Sequence, residues 1–201
     1  MLRYKDDARI GSFRELREHW RNDYRVNGSF LHPGMQAMMM YRLGVWQTGL
    51  RRGFVSAIAY RLYRFLHIFV RNVYGIEIYA TARIGWRLRI AHQSGIILHR
   101  GLVMGNDCMV RQGVTIGRAS NHGGGIRSKP PVIGSRVVVG AGAVIAGGIT
   151  IGDDVVIGPN ALVLRSVPSG ALVTTAPARV IRRLPKAEQS PPDEPQKNSI
   201  E

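Results

Sequence analysis

Residues 133–167 read I-G-S-R-V-V-V-G-A-G-A-V-I-A-G-G-I-T-I-G-D-D-V-V-I-G-P-N-A-L-V-L-R-S-V. Ile133, Val139, Ile145, Ile151, Ile157 and Val163 fall six residues apart, and Val137, Ala143, Ile149, Val155, Ala161 and Val167 each stand four residues after one of them. A helix repeats at about 3.6 residues and a half-buried strand at about two, so neither produces a run of sixes. Glycine follows the aliphatic residue at Gly134, Gly140, Gly152 and Gly158. Each unit therefore reads as a short strand closed by a tight turn, with two side chains directed inward. Three units make one triangular coil, and stacked coils bury an aliphatic column that no single unit could bury alone.

Working outward, the same phase runs through Ile78, Ile84, Ile90 and Ile96, slips by two residues, and resumes at Met104, Val110 and Ile116. The register then breaks over residues 118–130, R-A-S-N-H-G-G-G-I-R-S-K-P, an excursion from the coil. A loop held by a rigid scaffold is where substrate contacts are expected. Upstream, residues 12–74 read as helical: Ser12 and Glu15 form a capping-box pair, and Pro33 with Gly34 separates a first helix from a second. The stretch 54–70 is strongly apolar but holds Arg61 and Arg64, each costing roughly 2.5–3.5 kcal/mol at a bilayer centre. It is expected to cap the first coil and not to span a membrane. Arg51, Arg52, Arg61 and Arg64 also offer peripheral contact with an acidic membrane surface. The expected organisation is a helical region at 1–75, the coils at 76–168 with their insertion at 118–130, a cap at 169–185, and a tail at 186–201. The tail, with Pro191, Pro192 and Pro195 among polar residues, reads as disordered.

The 201 residues are 45% hydrophobic, enough for one buried core, and carry a formal charge of +15 that draws anions to the surface. Zinc-finger spacing, an aromatic RNA-binding signature and an arginine-rich arm are all missing, so no nucleic-acid partner is expected. A single cysteine, Cys108, excludes an intramolecular disulfide and falls at an inward coil position. With no secretory pattern at the amino terminus, the expected location is cytoplasmic, membrane-peripheral if the basic helices make that contact.

A base active near neutral pH is most readily an imidazole. His19, His32 and His67 lie in the helical segment with no acidic or metal-binding pattern and read as structural, whereas His92, His99 and His122 lie on or beside the coils. The string R-I-A-H-Q-S-G-I-I-L-H-R-G-L-V-M-G-N-D-C-M-V-R-Q-G-V-T-I-G-R, residues 89–118, resembles the serine acetyltransferase family without a gap. So do G-I-E-I at 75–78, G-A-G-A at 140–143, A-P-A-R at 176–179 and, more loosely, P-G-M-Q-A at 33–37.

The resemblance implies a mainly β protein: a left-handed parallel β-helix of hexapeptide repeats with an N-terminal α-helical region. It further implies a homotrimer with its active site between subunits, acetyl-CoA as co-substrate, and no metal. Similarity to the family makes His92 the general base and Glu77, fifteen residues upstream, the carboxylate that orients it. Ala141, Pro159, Arg165, Arg179 and Arg182 match cofactor-binding positions, although Pro159 and Thr175 stand where the family usually has Ala and Gly.

For the acceptor, serine-acetylating members carry Asp before the base and R-H-P after the loop. This chain has Ala91, and Lys129-Pro130-Pro131. The departures shift the expected acceptor to a sugar hydroxyl or a cell-surface glycan intermediate, as in similar acetyltransferases of polysaccharide biosynthesis, with His122, Arg127 and Lys129 as acceptor-binding residues. Serine is the alternative. Two other classes share the solenoid: a non-catalytic scaffold, and a γ-type carbonic anhydrase drawing on His92, His99 and His122, which the seven-residue step between the first two disfavours.

Overall fold

The computed structural model describes residues 8–119 and 129–176. Three helices come first: α1 (Phe13–Asn27), α2 (Pro33–Gly49) and α3 (Phe54–Tyr74). The Ser12 hydroxyl accepts from the Glu15 amide at 3.2 Å while the Glu15 carboxylate accepts from the Gly11 amide at 2.8 Å, a capping exchange that fixes the start of α1. Pro33 is the first residue of α2, where its missing N–H costs nothing, and the His32 imidazole accepts from the Gly34 amide at 3.1 Å. α3 ends on Gly75 in the left-handed conformation. No helix among the described residues is long and apolar enough to cross a membrane.

Among the described residues, fourteen strands of two or three residues follow: β1 (Ile76–Ile78), β2 (Arg83–Ile84), β3 (Arg89–Ile90), β4 (Ile96–Leu98), β5 (Val103–Met104), β6 (Met109–Val110), β7 (Thr115–Gly117), β8 (Val132–Ile133), β9 (Val138–Val139), β10 (Val144–Ala146), β11 (Thr150–Ile151), β12 (Val156–Ile157), β13 (Leu162–Val163) and β14 (Leu172–Val173). Every pairing is parallel, and the three sheets run β1-β4-β7-β10-β13, β2-β5-β8-β11 and β3-β6-β9-β12-β14. Paired strands are three apart in chain order, except β12 and β14, between which Val167 meets Ile151 by a single bridge, so the backbone winds round a three-sided prism. One column of buried aliphatics backs each face: Ile78, Leu98, Ile116, Ile145 and Val163; Ile84, Met104, Ile133 and Ile151; Ile90, Val110, Val139 and Ile157. The hexad reading of a parallel β-helix behind helices is the fold found.

One detail of register differs from expectation. Ile96 was expected in the aliphatic column with the slip after it. Leu98 occupies that place, paired with Ile78 below and Ile116 above, and the two extra residues fall between Ile90 and Leu98. Ile96 and Leu98 both point inward and both are fully buried. Hydrophobicity alone therefore could not say which belonged to the column; pairing decided it. At the other end, β14 pairs with β12, so hydrogen-bonded coil continues beyond residue 168. The remainder of the expected cap and the tail lie outside the described residues.

The first coil exposes three edge strands, β1, β2 and β3, whose polar backbone would otherwise be open. The helices close it with side chains that imitate another coil. Asn27 donates to the Leu88 carbonyl at 2.9 Å and accepts from the Ile90 amide at 3.0 Å. The Tyr41 hydroxyl does the same for Ala82 and Ile84 at 2.9 and 3.0 Å. Arg42, fully buried, donates to the Ile84 carbonyl at 2.7 Å and pairs with buried Asp23 at 2.8 Å. At the edge between the second and third faces, Asn106, Ser135, Asp153 and Ser169 each accept from a main-chain amide one coil away, at 2.7–3.1 Å. A methyl on Gly134 would stand 2.5 Å from the Asp153 carboxylate, which is why the residue after the column aliphatic has no side chain there.

Candidate active site

His92 stands exposed on the edge between the third and first faces, in the turn lengthened by two residues. The coils above stack on this edge at Arg111-Gln112-Gly113, then at the small residues Ala141-Gly142, then at Pro159-Asn160, joined by the Gly142 amide to the Gln112 carbonyl and the Asn160 amide to the Ala141 carbonyl at 2.9 and 2.8 Å. The insertion at His92 holds Ser94 at φ +86°, a left-handed conformation costing about 1–3 kcal/mol in a residue with a side chain. Two bonds hold that conformation: the Ser94 amide donates to Tyr74 at 2.8 Å and its carbonyl accepts from Gly113 at 2.9 Å. The imidazole is thus displayed by a strained turn over a rigid column. Among the described residues it makes no hydrogen bond and no ion pair.

Glu77 lies half-buried on the outer side of β1, on the face whose leading edge carries His92. Its Oε1 accepts from the Tyr79 hydroxyl. The Tyr79 ring is packed between the Arg100 guanidinium, 4.3 Å from its centre, and the His67 ring at 5.3 Å. Among the described residues no hydrogen bond or ion pair joins Glu77 to His92.

The remaining expected residues divide between two edges. Ala141 and Pro159 share the edge of His92. Lys129 is exposed against Gly148 on the edge between the first and second faces, where the insertion leaves and returns. Arg165 is exposed on that edge too, preceding Ser166, whose hydroxyl accepts from the Thr150 amide at 3.0 Å. His99 stands there as well, its Nδ1 at 2.8 Å from the Arg100 carbonyl. His122, Arg127, Arg179 and Arg182 lie outside the described residues. No group of three metal-binding side chains forms among the described residues, and β4 separates His92 from His99. Cys108 is buried, donates to the Gly134 carbonyl at 3.2 Å, and burial pushes its thiol up to about 11, so it is core and no nucleophile.

Residues 130–165 match the family model described as bacterial transferase hexapeptide, six repeats. A serine acetyltransferase of Helicobacter pylori strain J99 is 37% identical over 163 residues, covering 81% of this chain and 88% of that protein. The chain belongs to the serine acetyltransferase family. Another serine acetyltransferase, from Synechococcus elongatus, is 36% identical over 152 residues, 76% of this chain but only 58% of its own length. The chain therefore spans about three fifths of some serine acetyltransferases. The solved structure of soybean serine acetyltransferase complexed with serine matches with a TM-score of 0.66 at 28% identity, over 84% of this chain and 70% of that one.

Sequence reading had singled out the residues at the prism edges but not Tyr79 or Arg100, and it read His67 as structural alone. These three come from α3, the first coil and the second coil, so no local pattern links them.

Proposed function

We propose that the chain transfers the acetyl group of acetyl-CoA to the hydroxyl of serine, with His92 as general base and Glu77 as the carboxylate that orients it. The observation that carries this is the lengthened, strained turn that sets an unengaged imidazole on the edge where Gly113, Ala141 and Gly142 leave the backbone open to close approach. A thin, extended thioester arm needs that close approach to backbone. His92 takes the proton of the acceptor hydroxyl as its oxygen attacks the thioester carbonyl, then returns the proton to the departing sulfur as the carbon–sulfur bond breaks. No protein nucleophile is required.

Glu77, steadied through Oε1 by Tyr79, would hold one imidazole tautomer and stabilise the imidazolium with its other oxygen. Arg165, with Arg179 and Arg182, is proposed to meet the phosphates of the co-substrate. Lys129, and with it His122 and Arg127, is proposed to meet the acceptor. The width of the first face separates Lys129 from His92 within one protomer, a three-residue strand of roughly 10 Å plus its corners. The two sets join only if the edge of one protomer meets the other edge of a neighbour, as in a homotrimer.

Serine is preferred to the sugar hydroxyl or glycan expected from Ala91 and Lys129-Pro130-Pro131. Support comes from the shared name of the relatives and from the bound serine of the soybean enzyme. Ala91 still removes one carboxylate from around a serine ammonium, so a raised KM is the expected cost of that departure. The test is thiol release from acetyl-CoA with L-serine, nucleotide sugars and acidic oligosaccharides as acceptors, on wild type and His92→Ala. Serine turnover that falls on the order of 10²- to 10⁴-fold in the variant is expected. Equal rates would remove His92 as base, and turnover confined to a sugar would remove serine.

A further inference from the structure

Between α3 and the edge of the first two coils lies a cleft of about 380 Å³, separate from the edge that carries His92. Arg64 and Arg71 enter it from α3 and Arg100 from the turn after β4, with Tyr60, Tyr63 and Tyr79 as aromatic walls. Among the described residues none of the three arginines pairs with a carboxylate; Arg71 reaches only the Asn72 side chain at 3.2 Å, and Arg100 lies over the Tyr79 ring. Glu77 is the acidic group nearby, and its Oε1 is taken by Tyr79.

His67 lines the cleft at 9% exposure, and its buried Nδ1 has no hydrogen-bond partner among the described residues. Burial first, then Arg71, Arg64 and Arg100, push the imidazole pKa down against the pull of Glu77, so all three cations are within electrostatic reach of one ring. No acidic residue occurs between Asp23 and Glu77 to relieve them. Three like charges and an unsatisfied buried nitrogen around one cavity are an unfavourable arrangement unless an anion completes it.

We propose that this cleft binds a small phosphorylated ligand, its phosphate held by Arg64, Arg71 and Arg100 and its organic body packed among the tyrosines. Guanidinium forks match phosphate oxygens in geometry as well as charge, and the volume exceeds that of a bare phosphate. The phosphate could belong to a free metabolite or to a lipid headgroup. The second source is suggested by the outer side of α3, where Phe54, Ile58, Leu62, Phe65 and Phe69 are exposed. The cleft shares Tyr79 with Glu77, so binding is measured in the His92→Ala background without acetyl-CoA, where its failure is read separately from any failure of acetyl transfer.

Titration calorimetry with ribose 5-phosphate is expected to show saturable one-to-one binding, with inorganic phosphate competing and ribose inert. Affinity should fall at least about tenfold in Arg100→Gln and in Arg64→Gln, each expected to keep the wild-type melting temperature, and stay unchanged in Arg17→Gln on α1. Should either variant lose its fold, Arg71→Gln supplies the same reading. No saturable heat with ribose 5-phosphate or phosphate, or binding indifferent to these arginines, would overturn the free-metabolite form. Flotation with phosphatidylcholine vesicles with and without phosphatidic acid tests the lipid form. Retention that needs phosphatidic acid and is lost in the same variants supports the cleft. Retention that survives them would report the apolar side of α3 and overturn the cleft as the lipid site, as would no retention at all.

Discussion

His19 shows how burial fixes the chemistry of a single side chain. Its ring stacks on Trp86, 3.7 Å away and within 7° of parallel, and its buried Nδ1 has no hydrogen-bond partner among the described residues. Burial, aided by the Arg42 charge, drops its pKa to about 3, so the folded protein keeps the imidazole neutral where the unfolded chain would protonate it. The sign follows from linkage: below the unfolded value of about 6.5 the unfolded state binds more protons, so stability present above that pH is lost as pH falls toward 3. His67 contributes in the same direction. Urea unfolding between pH 7 and about 5, above the carboxylate range, is expected to show a falling midpoint in wild type and a flatter profile in His19→Phe, which keeps the stack. Identical slopes would mean the imidazole is protonated in place. The expectation that His19 is structural was legible from its lack of an acidic or metal-binding pattern. That Trp86, sixty-seven positions away, would be its partner was not.

At the scale of elements, the coils were readable because each hexad buries the same positions, whereas their attachment to the helices was not. Asn27, Tyr41 and Arg42 look unremarkable on their helices, and only docking shows them serving the open edge of the first coil. Arg42→Met would leave buried Asp23 without its cation and the Ile84 carbonyl without its donor. A loss of about 3–5 kcal/mol is expected, because an unpaired buried charge costs far more than the pair contributes. Chemical denaturation measures it, and the double variant Arg42→Met with Asp23→Leu should recover much of the loss. The exposed corner pairs behave differently. Arg136 and Asp154 meet at 2.6 Å but in open solvent, so removing either is expected to leave the denaturation midpoint nearly unchanged. The misplaced slip at Ile96 belongs here as well: two inward residues two apart are equivalent to a hydrophobicity pattern, and only the hydrogen-bonded partner distinguishes them.

For the whole molecule, the proposed site is divided between two edges of one prism, and the proposal therefore predicts that activity is a property of the assembly. His92→Ala and Lys129→Glu are each expected to be inactive as pure proteins. Co-refolded mixtures should regain activity, since some interfaces then pair an intact His92 edge with an intact Lys129 edge. Mixtures that stay as inactive as their parents would place both groups in one protomer's site and remove the shared-edge arrangement. Sedimentation of the wild type should show the trimer that this arrangement needs.

The sequence by itself determined the prism, its helical preface and the family, because a six-residue burial period has one economical solution and the His92 segment matches that family without a gap. It also singled out His92 and Glu77. Only the tertiary structure decided where the extra residues of the first turn fall, that Tyr79 engages Glu77, and that three arginines and a buried imidazole share one cleft. Those facts depend on side chains brought together from distant positions, and a linear pattern carries no record of which strand edge or helix face will close on which.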